Sequence, residues 1–203
     1  MKKELIRCPW PADDLMIRYH DTEWGVPVHD DRLLFEYLIL EGAQAGLSWN
    51  TVLKKRENYR AAFNNFEAEK IVRYGDRKIT ALMNNAGIIR NRLKIHATIQ
   101  NAKSFLKVRE EFGSFDQYLW RFADGKPLIK HRQTMKEVPA RTEISDAMSM
   151  DLLKRGFKFV GSTICYAHMQ AVGMVNDHLM TCFRHKELSP KRQAGAAAPP
   201  TLR

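Results

Sequence analysis

Leu33, Leu34, Phe35, Tyr37, Leu38, Ile39 and Leu40 put hydrophobes on every side of one helix, and the residue that follows them is the acid Glu41. A helix apolar all round has no solvent face, so the rest of the chain must be wrapped around it. Glu41 continues that helix at the edge of the core. A carboxylate there either pairs with a cation, with Lys54, Lys55 and Arg56 as candidates, or keeps a raised pKa because desolvation disfavours its charged form. Both readings stand on these residues alone, and the second marks a functional site. Gly42 and Gly46 then allow close backbone approach or a sharp turn. Ser48 suits a helix cap, and Trp49 offers a flat apolar face near the acid.

The remaining pattern is helical. Asp13 and Asp14 open a short helix through Tyr19, which Gly25 and Pro27 end. Asp30 and Asp31 start the core helix, expected to run to Glu41. Ser48 opens a third, in which Trp49, Val52, Leu53, Arg56, Tyr59 and Phe63 fall at three-and-four spacing. One or two short helices are expected between Glu67 and Met83, broken near Gly75. A long amphipathic helix follows from about Ile89 to Glu111, with Leu93, Ile95, Ile99, Ala102, Phe105 and Leu106 on its apolar side and Gly113 closing it. Ser114 caps a short aromatic helix, Phe115 to Phe122, and Ala123 to Thr142 reads as a surface loop. Helices over Ser145 to Arg155 and Gly161 to Gly173 complete an all-α fold with no strand pattern. Residues 1–186 are expected to form one helical unit, with two lobes as the alternative. Residues 187–203 are expected to be a disordered tail, because they lack apolar periodicity.

Charge narrows the partners. Thirty-three Lys and Arg against 23 Asp and Glu give a formal charge of +10, which favours a polyanion, nucleic acid before membrane. No targeting segment and no run of about 18 apolar residues is present, so a cytoplasmic protein with no membrane partner is expected. Three cysteines, Cys8, Cys165 and Cys182, are an odd count that argues for reduced thiols or metal ligands over a disulfide framework.

Three groups of residues could carry chemistry. Cys8, His20, His178 and Cys182 supply two sulfurs and two nitrogens, the ligand set of a closed tetrahedral zinc site that would tie the chain ends together. The alternative is buried cysteines beside ordinary surface histidines. The run from Leu82 to Ile95, with apolar residues on both sides of Gly87, suits a helix-hairpin-helix. In that motif, exposed N–H groups around Gly87 and Ile88 and the next helix N-terminus hold a DNA phosphate, and Arg90, Arg92 and Lys94 add charge. A plain helix-helix turn with a basic flank fits the same residues. Trp10, Tyr19, Trp24 and Trp49 offer enough aromatic surface to sandwich a planar, cationic ligand, though scattered aromatics also build cores.

These residues carry a family resemblance. Tyr19-His20-Asp21, Glu23-Trp24-Gly25, Leu40-Glu41, Gln44-Ala45-Gly46-Leu47-Ser48-Trp49, Ala86-Gly87-Ile88-Ile89-Arg90, Arg155 to Tyr166 and Val175-Asn176-Asp177-His178 make the chain resemble bacterial 3-methyladenine DNA glycosylase I, from about Cys8 to Cys182. The resemblance implies an all-α helix-hairpin-helix enzyme that flips 3-methyladenine out of alkylated double-stranded DNA and hydrolyses its glycosidic bond, leaving an abasic site. It also implies one structural Zn2+ on Cys8, His20, His178 and Cys182 and a monomeric chain. Glu41 would recognise the base and serve catalysis, Tyr19 and Trp49 would stack on it, and Trp10 and Trp24 would complete the pocket. Ala45, Gly46 and Leu47 are candidates to fill the gap left in the duplex. Two positions depart from the family pattern: Met16 stands where a tyrosine is common, and Asn91 where a histidine is.

Overall fold

The computed structural model describes residues 5–189. Its helices are α1 (Asp14–Thr22), α2 (Asp31–Gln44), α3 (Trp49–Ala62), α4 (Ala68–Ile71), α5 (Asp76–Met83), α6 (Arg92–Phe112), α7 (Phe115–Trp120), α8 (Glu143–Lys154), α9 (Ser162–Ala171) and α10 (Phe183–Glu187). Side-chain caps set where most of the longer ones begin. Asp13, Asp30, Ser48, Asn91, Ser114 and Thr142 each accept an N–H from the first turn that follows.

Helix α2 is the axis of the fold. Every residue from Leu34 to Ala43 is buried, and α3, α6, α7 and α9 pack around it. It runs to Gln44, three residues beyond the end that the sequence predicts. The extra length has a visible support. Lys94 Nζ donates to the carbonyls of Ala43 and Ala45 at 2.8 Å each, satisfying groups that a helix end leaves open. The two glycines divide the roles proposed for them. A Cβ on Gly42 would lie 3.2 Å from Phe159 Cβ, so Gly42 allows close approach of the 157–160 turn, whereas Gly46 has φ +80° and makes the sharp turn.

Other boundaries are corrected. Helix α6 starts at Arg92 and not at Ile89, because Asn91 caps it and binds the Lys94 N–H at 3.1 Å. Leu93, expected on the apolar side, is 71% exposed. The 123–142 segment is not simply a surface loop. Leu128–Ile129 (β1) pairs in parallel with Val175–Asn176 (β2), Leu128 opposite Val175 and Ile129 opposite Asn176. Two residues are too few to show a period, so only the tertiary contact reveals this strand pair. The expected tail is ordered at its start: Glu187 closes α10, and the Leu188 N–H bonds the Arg184 carbonyl. The rest of that expectation, from residue 190, lies outside the described residues.

The buried apolar side chains form one large cluster with a small satellite of Cys8, Leu179 and Cys182, against which Trp10, Trp24 and Phe183 pack. Among the described residues no helix is long and apolar enough to cross a membrane.

Candidate functional site

Helix α2 delivers Glu41 into a cavity of about 340 Å³. Trp10, Tyr19, Trp24 and Trp49 all line it, so the four aromatics that the sequence leaves scattered converge on one space. Trp10 and Trp24 meet edge-on with centroids 5.1 Å apart, and Tyr19 lies 5.5 Å from Trp49. Met16 forms part of the wall, where its thioether adds an apolar, polarisable face. The lining contains no Lys, Arg or His. A cation would therefore meet ring faces and a carboxyl, with nothing to repel it.

Glu41 is 4% exposed and has no ion-pair or hydrogen-bond partner among the described residues. Its candidate cations are engaged elsewhere. Lys54 lies 3.4 Å from Asp13, Lys55 donates to the Ala86 carbonyl at 3.0 Å, and Arg56 pairs with Glu36 at 2.6 Å and also with Glu23. Burial without compensation pushes the Glu41 carboxyl up to about 8. The second of the two readings of this acid is the one the fold realises. Glu41 and Gln44 also border a smaller space of about 210 Å³, lined by Gly46, Leu47 and Thr163, so the acid stands between the aromatic cavity and the outer surface.

Three wall residues carry no readable signal. Met135 and Val138 come from the 123–142 segment, and Gln170 comes from α9. The segment is fixed there by the β1–β2 pair and by the Met180 N–H, which donates to the Arg132 carbonyl at 2.9 Å. Gln170 follows Tyr166 and His168 on the same helix, and nothing local sets it apart from them.

Beside the cavity, the ligand atoms of Cys8, His20, His178 and Cys182 lie within 4.8 Å of one another, all buried, and could hold a metal ion. Three of the four sulfur-to-nitrogen distances are 3.7 Å from Cys8 to His178, 3.5 Å from Cys182 to His20 and 3.5 Å from Cys182 to His178. The Cys8 thiol and the two imidazoles hydrogen-bond Cys182 and hold its thiol well below the usual range, while Cys8 is pushed up. The outer imidazole nitrogens are also held. His20 Nδ1 lies 2.7 Å from Asp21, which Arg7 grips through Nε and Nη2, and His178 Nε2 lies 3.0 Å from the Trp24 carbonyl. Trp10 and Trp24 pack directly on these rings, Trp10 at 5.2 Å from His20 and Trp24 at 4.5 Å from His178. The cluster thus fixes two cavity walls.

The turn between α5 and α6 differs from the expected display of N–H groups. Gly87 N–H bonds Asn85 Oδ1 at 2.8 Å, Ile88 N–H the Asn85 carbonyl at 3.3 Å, and Ile89 N–H the Tyr59 hydroxyl at 3.2 Å. Ile88 is buried, so its side chain anchors the turn in the core. Lys94 is spent on α2, leaving Arg90 and Arg92 as the exposed cations of this stretch. The N–H groups of Arg92 and Leu93 take no protein acceptor among the described residues, as befits the first turn of a helix.

Comparison with known proteins adds the following. A family profile described as methyladenine glycosylase matches residues 10–185. The DNA-3-methyladenine glycosylase 1 of Escherichia coli (strain K12) is 50% identical over 177 residues, 87% of this chain and 95% of its own. A crystal structure of 3-methyladenine DNA glycosylase I superposes with a TM-score of 0.86 at 51% identity, over 88% of this chain and 98% of its own. A variant of a 3-methyladenine DNA glycosylase I, solved in complex with 3-methyladenine, superposes with a TM-score of 0.86 at 34% identity, over 91% and 98% of the two chains.

Proposed function

The chain belongs to the methyladenine glycosylase family, and from that premise we propose how its residues divide the work of a DNA repair enzyme. The protein is a DNA-3-methyladenine glycosylase, an N-glycosyl hydrolase that excises 3-methyladenine from alkylated DNA. Methylation at N3 makes adenine cationic and weakens its glycosidic bond, so the base departs without being protonated. Water supplies the oxygen that ends on C1′. The enzyme's main task is to find and hold the base, which must first be flipped from the duplex at a cost of a few kcal/mol.

The observation that carries this reading is an unpaired, buried carboxyl in an aromatic cavity with no cationic side chain on its wall. Tyr19 and Trp49 stack on the base, and Trp10 and Trp24 close the pocket around it. Glu41 accepts a hydrogen bond from the exocyclic amine. As the cationic base enters, its field favours the charged carboxylate, and Glu41 gives up its proton to solvent. The resulting carboxylate also stabilises the oxocarbenium-like state in which the bond to C1′ breaks.

On the outer surface, the 84–91 turn serves as the hairpin of a helix-hairpin-helix. Its phosphate contact comes from Arg90, Arg92 and the open N–H groups at the start of α6, with Gly87 and Ile88 shaping the turn. Lys94 supports this contact indirectly, by bracing the end of α2. The Gly46 turn presents Leu47, 43% exposed, as the side chain that fills the gap left by the flipped base.

Cys8, His20, His178 and Cys182 suit Zn2+. Ordinary zinc bond lengths in a tetrahedron put sulfur and nitrogen about 3.6 Å apart, which matches the Cys8–His178, Cys182–His20 and Cys182–His178 spacings. Four protein ligands leave no position for water, so the ion's chemistry is structural: it ties the two ends of the chain behind the Trp10 and Trp24 walls. The described part of the 1–186 unit works as one body, as a cytoplasmic monomer.

Chromatography of bases released from methylated duplex DNA, combined with metal analysis of the purified protein, tests the whole reading. Release of 3-methyladenine without strand cleavage, by a protein carrying one zinc per chain, is expected. A protein that binds intact duplex and releases no base would overturn it. Removing the metal with a chelator should lower the melting temperature by more than about 5 °C and reduce base release with it.

A further inference from the structure

One polar side chain on the cavity wall has so far been given no chemical task. Gln170 is half-buried on α9 and borders the aromatic cavity. Its amide is not free to turn, because Nε2 donates to Asp177 Oδ2 at 2.9 Å and a carboxylate can only accept. Asp177 is itself 1% exposed, receives the Tyr166 hydroxyl on the same oxygen, and has Arg132 Nε 3.5 Å from its other one. The Gln170 side-chain oxygen, Oε1, accepts no hydrogen bond from any described residue, and it is not among the buried polar atoms left without a partner. The open space this side chain borders is the cavity.

We propose that Gln170 is a specificity-determining residue: locked by Asp177, it turns its carbonyl oxygen to the base as a fixed acceptor, favouring an alkylated purine that offers an N–H donor at that edge over one that offers a carbonyl. The inference rests on the base occupying this cavity, as in the function proposed above.

Glu41 makes this distinction only once it is ionised. Until the cationic base displaces its proton, a carboxyl pushed up to about 8 is protonated near neutrality and can donate an O–H to a carbonyl as readily as it accepts from an amine. The Gln170 amide has no such second state, since reversing it would set its oxygen against the Asp177 carboxylate. A carbonyl-bearing base would leave the Gln170 acceptor buried and unpaired, facing another acceptor. A site built to hydrogen-bond one group rejects the analogue that lacks it for this reason. Asp177 and Tyr166 are positioning residues in this scheme. Asp177 also ties the cavity to the 123–142 segment through Arg132.

The test compares kcat/KM for release of 3-methyladenine and of 3-methylguanine from the same methylated duplex. Gln170→Met keeps the volume and removes the acceptor, and Gln170→Asn keeps the amide but withdraws it by one methylene. Each is expected to lower the adenine-to-guanine ratio by about tenfold. Gln170→Glu, whose carboxyl can share a proton with Asp177 and still accept from the base, should restore most of the ratio. Should a folded Gln170→Met or Gln170→Asn protein keep the wild-type ratio, the role falls. Trp49→Ala in the same assay separates the two levels of the reading. Wild-type release by Trp49→Ala would show that the base does not sit in this cavity. Impaired release there, with an unchanged ratio in the Gln170 variants, would remove only the Gln170 role.

Discussion

Helix α2 buries two glutamates, and they are treated in opposite ways. Glu36 is fully buried and is surrounded by guanidinium groups, with Arg56 at 2.6 Å, Arg60 at 2.7 Å and Arg32 at 3.5 Å. Glu41, five positions on, is 4% exposed and has none. The same side chain on the same helix is structural in one place and available in the other. What differs is where the neighbouring elements spend their cations. A buried charge must be paired, or else be held neutral until something brings the opposite charge to it. Glu36 is the first case, and in the function proposed above Glu41 is the second, held neutral for a cationic base.

Exchanging Glu41 should show the largest effect. Glu41→Gln keeps the shape but cannot ionise, and release of 3-methyladenine should fall on the order of 10²-fold while the fold and metal content are kept. Near-wild-type release would make Glu41 another buried residue. Glu36→Gln should do the reverse. Removing one partner from a buried ion cluster costs about 3–5 kcal/mol in urea titration, with release per folded molecule little changed.

The pH dependence tests Glu41 further. The Glu41 pKa is raised in the folded state, so the unfolded chain holds fewer protons there between pH 4.5 and about 8. Its contribution to stability is therefore fully present below pH 4.5 and is lost as pH rises through about 8. Binding a cation works against the proton, so wild-type kcat/KM should climb from pH 6 to about 8 and then level, and Glu41→Gln should remove that limb. His168 on α9 gives the opposite stability slope. Burial lowers its pKa from 6.5 to about 4, so its neutral form supports the fold above pH 6.5, and that support is lost as pH falls towards 4. Melting curves of wild type and His168→Gln across pH 4 to 7 should converge at the acid end.

The smallest effect concerns Lys94, the cation at the end of α2. Lys94→Met should cost about 1 kcal/mol through the two lost carbonyl contacts. The rising limb of the pH–rate profile should stay where it is. A limb displaced to higher pH would mean that Lys94 had been a counter-ion of Glu41 after all, and the contrast with Glu36 would collapse.

Much of the site is legible in the sequence where local chemistry decides. Asp13, Asp30, Ser48 and Ser114 mark helix starts because a capping side chain acts on backbone only two or three residues away. Leu93 shows the limit of that reach. It fits the apolar spacing of α6, yet the helix begins only at Arg92, and its first turn stands clear of the core. The 123–142 segment shows the same limit from the other side: irregular in sequence, it still contributes Met135 and Val138 to the cavity through a strand pair formed with a segment close to the chain end.

By itself, then, the sequence determined that α2 would be buried on all sides, that an acid would follow at the edge of that core, and that two cysteines and two histidines of suitable chemistry lay near the chain ends. Those follow from side-chain polarity and from the repeat of the helix, which act over a few residues. Only the tertiary structure decided that Cys8 would meet His178 across 170 positions, that Arg56 would go to Glu36 and not to Glu41, and that Asp177 would fix the Gln170 amide. Coulomb and hydrogen-bond energies depend on distance through space, and in a packed interior that distance is set by how elements far apart in the chain come together.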